Sequence, residues 1–448
     1  MESPGNGKTE LRQMSVPKRS PTDVFHLAIV TSNYPTPARP TYGTFVRQFA
    51  HAIARQGVGC TVIQPAAIHE ERGRSGCAVC EREEAGGGQW VAVHRPRFLS
   101  LSAREAFVRL GPFNPSRFTL NRFAAAVRRT LRRLQVRPHA LYGHFLYLAG
   151  AAAVRVGREL DIPAFPCVGE GELWTVRQFG VAHARKSLAG ACGFLANSSA
   201  LKNTLVQQLG FAADRIGVFP NGANLTAFRP LDRPAARTRL GLPQDRFLVG
   251  AAGNFLEKKG IVRVGAAIEG LAGVAGVFAG AGPVPPQATN MALCRRVAHE
   301  DMPALLSACD VFVLPTLIEG SCNALVEAMA CGLPIVSSTG EFNDDVLDDS
   351  MSFRIDPLDV AAIRQAIVRL RDDPDLRARM AAAALRRSRL FDVDDRARRM
   401  IEFIRRRVEC AAGRTDSFPS GDSAGSEIQQ PTSGCAMHGS AGRHHGNV

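Results

Sequence analysis

The sequence predicts an α/β protein made of two doubly wound domains. Three observations carry this: short apolar runs of strand length alternate with helical patterns, that texture restarts after residue 226, and 448 residues exceed one ordinary hydrophobic core. With 45% hydrophobic and 21% charged residues, the composition is that of a globular enzyme.

Residues 1–23 are polar, lack the apolar run of an export signal, and are expected to be disordered. HLAIVTS at 26–32 reads as a buried strand, followed by a loop and a helix from Thr44 to Gln56 that Gly57 closes. CTVIQP is a second strand. The polar stretch ERGRSGCAVCEREEAGGG then reads as a surface loop. It holds a CxxC, Cys77 and Cys80, with no second pair or histidine at zinc spacing.

Between Arg95 and Arg137 stand eleven arginines and one glutamate. Leu120, Phe123, Val127, Leu131 and Leu134 recur there at helical spacing, while Arg122, Arg129 and Arg133 share another side. That is an amphipathic basic helix, either a solvated face or a contact for an acceptor or an anionic membrane surface. ALYGHFLYLAG and IPAFPCV continue as strands, ACGFLANSSA as a strand with a helix cap, and IGVFPNG beyond it, giving a first domain over 24–225. FLVGAAGNF, GVAGVFAGAGP, CDVFVLPT and LPIVSS repeat the form in a second domain over 226–393. Residues 394–412 read as a closing helix, a candidate to cross back to the first domain, and 413–448 as a disordered Gly- and Ser-rich tail.

The net charge is +14. Nucleic acid is not the expected partner, because no binding motif or base-stacking aromatic cluster accompanies the arginines. No stretch offers about 18 uninterrupted apolar residues, so the expectation is a cytoplasmic protein, peripheral at the inner membrane face if the arginines serve that end. Eleven cysteines, an odd number, with Cys192, Cys309 and Cys331 inside apolar segments, read as reduced thiols.

In an open parallel sheet, ligands sit beyond the carboxyl ends of strands. CDVFVLPT-LIEGSCN-ALVEAMACG-LPIVSS puts Glu319 in such a loop and Glu327 early in the next helix. Gly320, Ser321, Cys322 and Asn323 lead into that helix, where small residues let backbone amides approach an anion and the dipole favours it. A diphosphate on the helix terminus, with carboxylates accepting hydroxyl hydrogen bonds on either side, describes a nucleotide sugar. A glutamate in a helix's first turn also stabilises the dipole with no ligand at all.

The string E-x7-E followed by AMACGLPIVSS resembles that of the retaining, GT-B-fold glycosyltransferases of family 4. GAAGNFLEKKG, VFAGAGP, HEDMPALLSACDVFVLPT and VFPNGANLTAFRP agree with it, over roughly residues 24–410. SNYP with PTYGTFVRQFAHAIARQG resembles the subset that builds bacterial surface or exopolysaccharides. The resemblance implies two Rossmann-like domains facing across a cleft, a reaction without metal or cofactor, and transfer of a hexose from a UDP- or GDP-sugar with retention. The acceptor it implies is lipid-linked or a polysaccharide. It further implies that Glu319 contacts the transferred sugar and Glu327 the ribose, that Lys259 neutralises the departing diphosphate, that Gly43 faces those phosphates across the cleft, and that Gly280 and Gly282 line the nucleotide pocket.

Two departures stand out. Asn254 occupies the place of an arginine that helps hold the diphosphate, and GEGELW leaves Glu170 or Glu172 where a histidine touches the sugar. Glu170 is carried as a catalytic candidate. His144, in YGHFLYLAG, is read equally as a structural histidine and as a site residue. The departures also motivate an alternative, a nucleotide-sugar-binding subunit without turnover.

Overall fold

The first half of the chain forms one large sheet because its apolar runs are covered on both faces. Its strands are β1 (His26–Val30), β2 (Gly59–Ile63), β3 (Ala66–Ala67), β4 (Cys80–Gly86), β5 (Gln89–His94), β6 (Arg97–Phe98), β7 (Ala140–Gly143), β8 (Ala164–Val168), β9 (Phe194–Ala196) and β10 (Ile216–Val218). Eight of them pair in the order β10-β9-β8-β7-β1-β2-β5-β4, parallel except for β4, while β3 and β6 pair separately. This computed structural model describes residues 24–40, 42–68, 80–101, 115–171, 173, 176 and 180–413. The expectations for residues 1–23, for the tail beyond 413, and for Cys77 and Glu172 fall outside them.

Helices α1 (Thr44–Arg55), α2 (Pro115–Arg133), α3 (Ala151–Leu160), α4 (Val181–Leu188) and α5 (Ser199–Leu209) cover this sheet. Helix α1 packs on the face that presents Leu27 and Ile29, and the other four on the face that presents Ala28 and Val30. Apolar residues therefore fill both sides of β1, which is why it reads as a continuous run. Ser198 caps α5 by accepting from the Leu201 amide, as the ANSS string suggests.

Two sequence readings are corrected here. Cys80 and its successors lie on a β-strand, not in a loop: β4 forms an antiparallel hairpin with β5. Its inward residues are polar, and partners satisfy them. Glu81 pairs with buried Arg95 at 2.6 Å, and Glu83 accepts from the Tyr34 hydroxyl at 2.8 Å. Without apolar alternation, no strand signal was present. The run ALYGHFLYLAG is strand only as far as Gly143; Leu146–Gly150 then forms a π-helical turn into α3. Gly143 lies so close to the Gly150 backbone that a Cβ would come within 2.5 Å of the Gly150 Cα, which allows this tight reversal.

The second half contains β11 (Phe247–Asn254), β12 (Val274–Ala281), β13 (Met291–Arg295), β14 (Val311–Leu314), β15 (Ile335–Ser338) and β16 (Ser352–Ile355). They pair all-parallel in the order β13-β12-β11-β14-β15-β16. Helices α6 (Arg233–Leu240), α7 (Ile261–Ile268), α8 (Met302–Ala308), α9 (Asn323–Ala330), α10 (Val360–Asp372) and α11 (Pro374–Ser388) enclose it in a core of its own. Helix α12 (Val393–Ala411) sets Ala397, Met400 and Ile404 into the first sheet's core, beside Leu27 and Ile29. The described residues through Val408 form one compact unit.

Nine cysteines lie among the described residues, and all are free thiols. In the second sheet the strand order reverses between β11 and β14, and a crevice opens beyond their carboxyl ends at such a point.

Candidate functional site

The loops that follow β11 and β14 are bolted together at this reversal. Gly260 holds a left-handed φ of 71°, and a Cβ there would overlap the Pro315 carbonyl oxygen. The Lys258 carbonyl accepts from Thr316 Oγ1 at 2.9 Å and from the Leu317 amide at 2.7 Å. These contacts bring the Lys259 ammonium to the Glu319 carboxylate, where it donates to Oε1. The two side chains remain 18% and 19% exposed, open to a ligand.

A cavity of about 390 Å³ opens beside the pair. It gathers Asn254, Lys259, Gly280, Glu319, Cys322, Asn323 and Glu327, all of them sequence candidates. Cys322 is the N-cap of α9 and makes no side-chain cap, so the helix's first amides stay free beside the cavity. Asn323 Oδ1 is buried without a hydrogen-bond partner. Glu327 is half-buried and burial pushes its carboxyl up to about 8. Among the described residues its carboxyl group has no hydrogen-bond or ion-pair partner. Free amides, the helix dipole and an ammonium favour an anion in this space, and a carboxylate one turn along α9 is set to accept from hydroxyls.

The remaining candidates are placed elsewhere. Gly43 caps α1 with φ 76°, and a Cβ there would lie 2.6–2.7 Å from the Asn33 and Tyr34 backbone; it shapes the β1–α1 loop and does not line the cavity. Gly282 makes room for the Phe255 backbone, likewise outside the cavity. Gly320 abuts the Gly169 carbonyl, so the loop after β14 rests directly on the loop after β8. Ser321 ties the same seam, accepting at Oγ from the Asn221 amide (3.0 Å) and at its carbonyl from Asn221 Nδ2 (2.9 Å).

Glu170 lies in that first-domain loop, next to Gly171, whose Cβ would come 2.9 Å from the Glu319 backbone. Its carboxylate is engaged: Oε1 accepts from the Leu146 amide at 2.8 Å and Oε2 from the Gly169 amide at 3.2 Å. Burial raises it to about 7 against the opposing effect of these amides. His144 is buried, with Nδ1 3.0 Å from the Tyr142 hydroxyl and Nε2 unpartnered, and burial with the nearby Arg396 charge lowers it to about 3. Arg122, Arg129 and Arg133 are exposed on α2.

Several residues of the site carried no sequence signal. Arg296 lines the cavity just past β13, a strand whose sequence MALCR lacks an apolar run. Arg396, buried on α12, donates to the Pro220 carbonyl at 2.8 Å and to Asn197 Oδ1 at 3.2 Å. Asn197 Nδ2 in turn donates to Asn221 Oδ1 at 3.1 Å. A relay thus runs from the closing helix through the interdomain linker to Ser321. A further contact crosses the seam at 2.7 Å between Gln48 Nε2 on α1 and His299 Nε2.

Two Rossmann-like domains, with an anion-accepting cavity at the strand reversal of the second, define the GT-B class of glycosyltransferase folds. A family model described as glycosyltransferase family 4 matches residues 42–227, and one described as glycosyl transferases group 1 matches residues 246–373. The chain thus carries a family 4 and a group 1 glycosyltransferase domain in succession. It is 26% identical over 352 residues to a Bacillus subtilis protein named as a teichuronic acid biosynthesis glycosyltransferase, covering 76% of this chain and 87% of the other. It is 31% identical over 244 residues to the D-inositol 3-phosphate glycosyltransferase of Thermomonospora curvata, covering 48% of this chain and 57% of the other. Among solved structures, sucrose-phosphate synthase from Thermosynechococcus elongatus shares the fold with a TM-score of 0.69 at 18% identity, over 87% of this chain and 100% of that one. The Anabaena HepE protein in complex with UDP-glucose does so at 0.62 and 17%, over 85% and 99%.

Proposed function

We propose that the cavity at the β11–β14 reversal holds a nucleotide sugar, and that the enzyme transfers its hexose from UDP or GDP, with retention at the anomeric carbon, onto a lipid-linked or polysaccharide acceptor. The observation that carries this reading is the convergence of Lys259, Glu319, the free α9 terminus and Glu327 on one cavity. In it, the ribose hydroxyls donate to Glu327, the diphosphate rests on the α9 amides, and the sugar meets Glu319. The Lys259 ammonium then exchanges part of its contact with Glu319 for the departing diphosphate, whose negative charge grows in the transition state. Asn254 brings no charge there, and Arg296, which also lines the cavity, supplies a second cation. With charge neutralisation coming from side chains and a helix terminus, the reading needs no metal or cofactor.

The Bacillus subtilis relative's name supports a place in cell-envelope polysaccharide synthesis. The fold shared with a protein solved with UDP-glucose supports a UDP-sugar donor. Among the described residues no helix is long and apolar enough to cross a membrane.

The test is to incubate purified protein with a panel of radiolabelled UDP- and GDP-sugars and follow nucleotide release. The reading expects at least one donor to be consumed by the wild type and spared by Glu319→Ala. If none is bound or hydrolysed and the two proteins behave alike, the reading fails. Saturable binding without turnover, with any lipid acceptor supplied, would favour instead a non-catalytic binding subunit. The engagement of Glu170 with backbone amides is the observation on that side.

A further inference from the structure

The loop after β8 meets the second domain with bare backbone and its own domain with a carboxylate. A Cβ on Gly320 would overlap the Gly169 carbonyl oxygen, and one on Gly171 would lie 2.9 Å from the N, Cα and C atoms of Glu319. Backbone therefore meets backbone on either side of Glu170, with no flexible side chain to yield. A shift of this loop is passed directly to the Glu319 backbone, because close-packed surfaces transmit displacement. Glu170 itself is not among the residues lining the β11–β14 cavity.

What holds the loop in place is the Glu170 side chain. Its Oε1 accepts from the Leu146 amide at 2.8 Å and its Oε2 from the Gly169 amide at 3.2 Å. Leu146 opens the π-helical turn into α3, so its amide has no acceptor within that turn. Phe145, just before it, holds φ 73° and ψ 153°, a conformation that residues with a Cβ rarely adopt and that persists only where the surroundings over-determine it. Three contacts do so here. Glu170 takes the Leu146 amide, the Gly150 amide donates to the Phe145 carbonyl at 2.9 Å, and the Phe145 ring lies where a Cβ on Gly169 would come within 3.1 Å. Asn197 Nδ2 would lie 2.7 Å from that same Cβ, so Gly169 is wedged between Phe145, Asn197 and Gly320.

We propose that Glu170 is a positioning residue for sugar transfer: by binding the Leu146 and Gly169 amides, its carboxylate fixes the Gly169–Gly171 loop and, through Gly171, sets where Glu319 lies. It acts without touching the donor. Its role in transfer rests on the donor reading of the β11–β14 cavity, whereas its hold on the Glu319 loop does not. The carboxylate serves as a pair of acceptors for backbone amides, and its charge does no chemistry on the sugar. A glutamine in its place keeps one of those acceptors and an alanine keeps none.

The experiment compares Glu170→Ala and Glu170→Gln with the wild type by amide hydrogen exchange and by donor kinetics on the full chain. In Glu170→Ala the Leu146 amide should exchange at least about tenfold faster, as loss of a charged acceptor requires. The Leu317 amide, which donates to the Lys258 carbonyl two residues before Glu319, should exchange faster by a similar factor, while the β12 amides keep their protection and report an intact fold. With any donor that the wild type consumes, Glu170→Ala should lower kcat at least about tenfold and leave KM within about threefold, because a misplaced reacting group costs rate while α9 and Glu327 still hold the nucleotide. Glu170→Gln should recover at least about threefold of that lost rate, which a carboxylate acting on the sugar would not allow. The proposal is overturned if Leu146 is loosened while Leu317 exchanges as in the wild type, since Glu170 would then cap its own turn only. It is overturned equally if kcat is unchanged in Glu170→Ala, or if Glu170→Gln is as slow as Glu170→Ala. Should Glu170→Ala lose the β12 protection, Glu170→Gln decides alone, with faster exchange at Leu317 expected and unchanged exchange overturning the proposal. If the wild type consumes no donor, the reading of the cavity fails by itself, and the exchange rates decide whether Glu170 positions the Glu319 loop.

Discussion

Lys259 and Glu319, sixty residues apart in sequence, form an ion pair in the wall of the β11–β14 cavity, and both partners are held there by backbone contacts. Gly260 against Pro315 fixes the lysine's loop, and Gly171 against the Glu319 backbone fixes the other. The pair therefore lies at the seam of the two domains, where the loop after β14 rests on the loop after β8.

Replacing Lys259 by alanine should lower kcat by about 100-fold or more while leaving KM for the donor within a few fold, because the ammonium matters most as the leaving group gains charge. Thermal stability should change little, as partly exposed ion pairs contribute about 0–1 kcal/mol. Lys258 is exposed, and its carbonyl rather than its ammonium makes the loop contacts, so Lys258→Ala should turn over like the wild type. Steady-state kinetics on the best donor of the panel separate the two.

Gly320→Ala tests the seam itself. Its methyl would overlap the Gly169 carbonyl oxygen, and backbone on both sides leaves no flexible side chain to yield. Overpacking of this kind costs about 1–3 kcal/mol, measurable by urea denaturation, and should weaken donor turnover as the Glu319 loop is displaced.

What was legible in the sequence followed from burial. Strands covered on both faces, such as β1, β11 and β14, are short apolar runs, and the loops at their carboxyl ends inherit the site by topology. That is how Glu319 and Glu327 could be singled out together, whereas Lys259 entered only through the family resemblance. The hairpin strand β4 was not legible, because Glu81 and Glu83 point inward to Arg95 and Tyr34 and reverse the usual alternation. Arg396, Asn197 and Asn221 were missed for another reason: their contacts span 24 to 199 residues, and no local pattern encodes them. Gly43, Gly282 and Gly320 show a third limit. Their glycine character is explained by backbone packing, and proximity to a ligand need not be invoked.

Glu327→Gln should alter the pH dependence of stability. The wild-type carboxyl titrates near 8 when folded and near its ordinary 4.5 when unfolded. Between those values the folded state holds a proton that the unfolded state has released, so this group's contribution to stability falls as pH rises through the window and is constant above it. The neutral amide removes that slope. Thermal melting at pH 5 and pH 9 should therefore show Glu327→Gln gaining relative to the wild type at the higher pH. An unchanged difference would mean that Glu327 titrates normally.

Arg396→Met should destabilise the protein by about 2–4 kcal/mol in urea, because it leaves the Pro220 carbonyl and Asn197 Oδ1 without their charged donor. Its effect should reach the donor loop through Asn221 and Ser321 and raise KM for the donor more than it lowers kcat.

The central claim is that the β11–β14 cavity holds a nucleotide diphosphate with its ribose on Glu327, and calorimetric titration with UDP and GDP tests it most directly. The account predicts saturable heat with at least one of the two for the wild type, and affinity at least about tenfold weaker for Glu327→Ala, as loss of the carboxyl's hydrogen bonds to the two ribose hydroxyls requires. No heat with either nucleotide, or equal affinity in the wild type and Glu327→Ala, would contradict it.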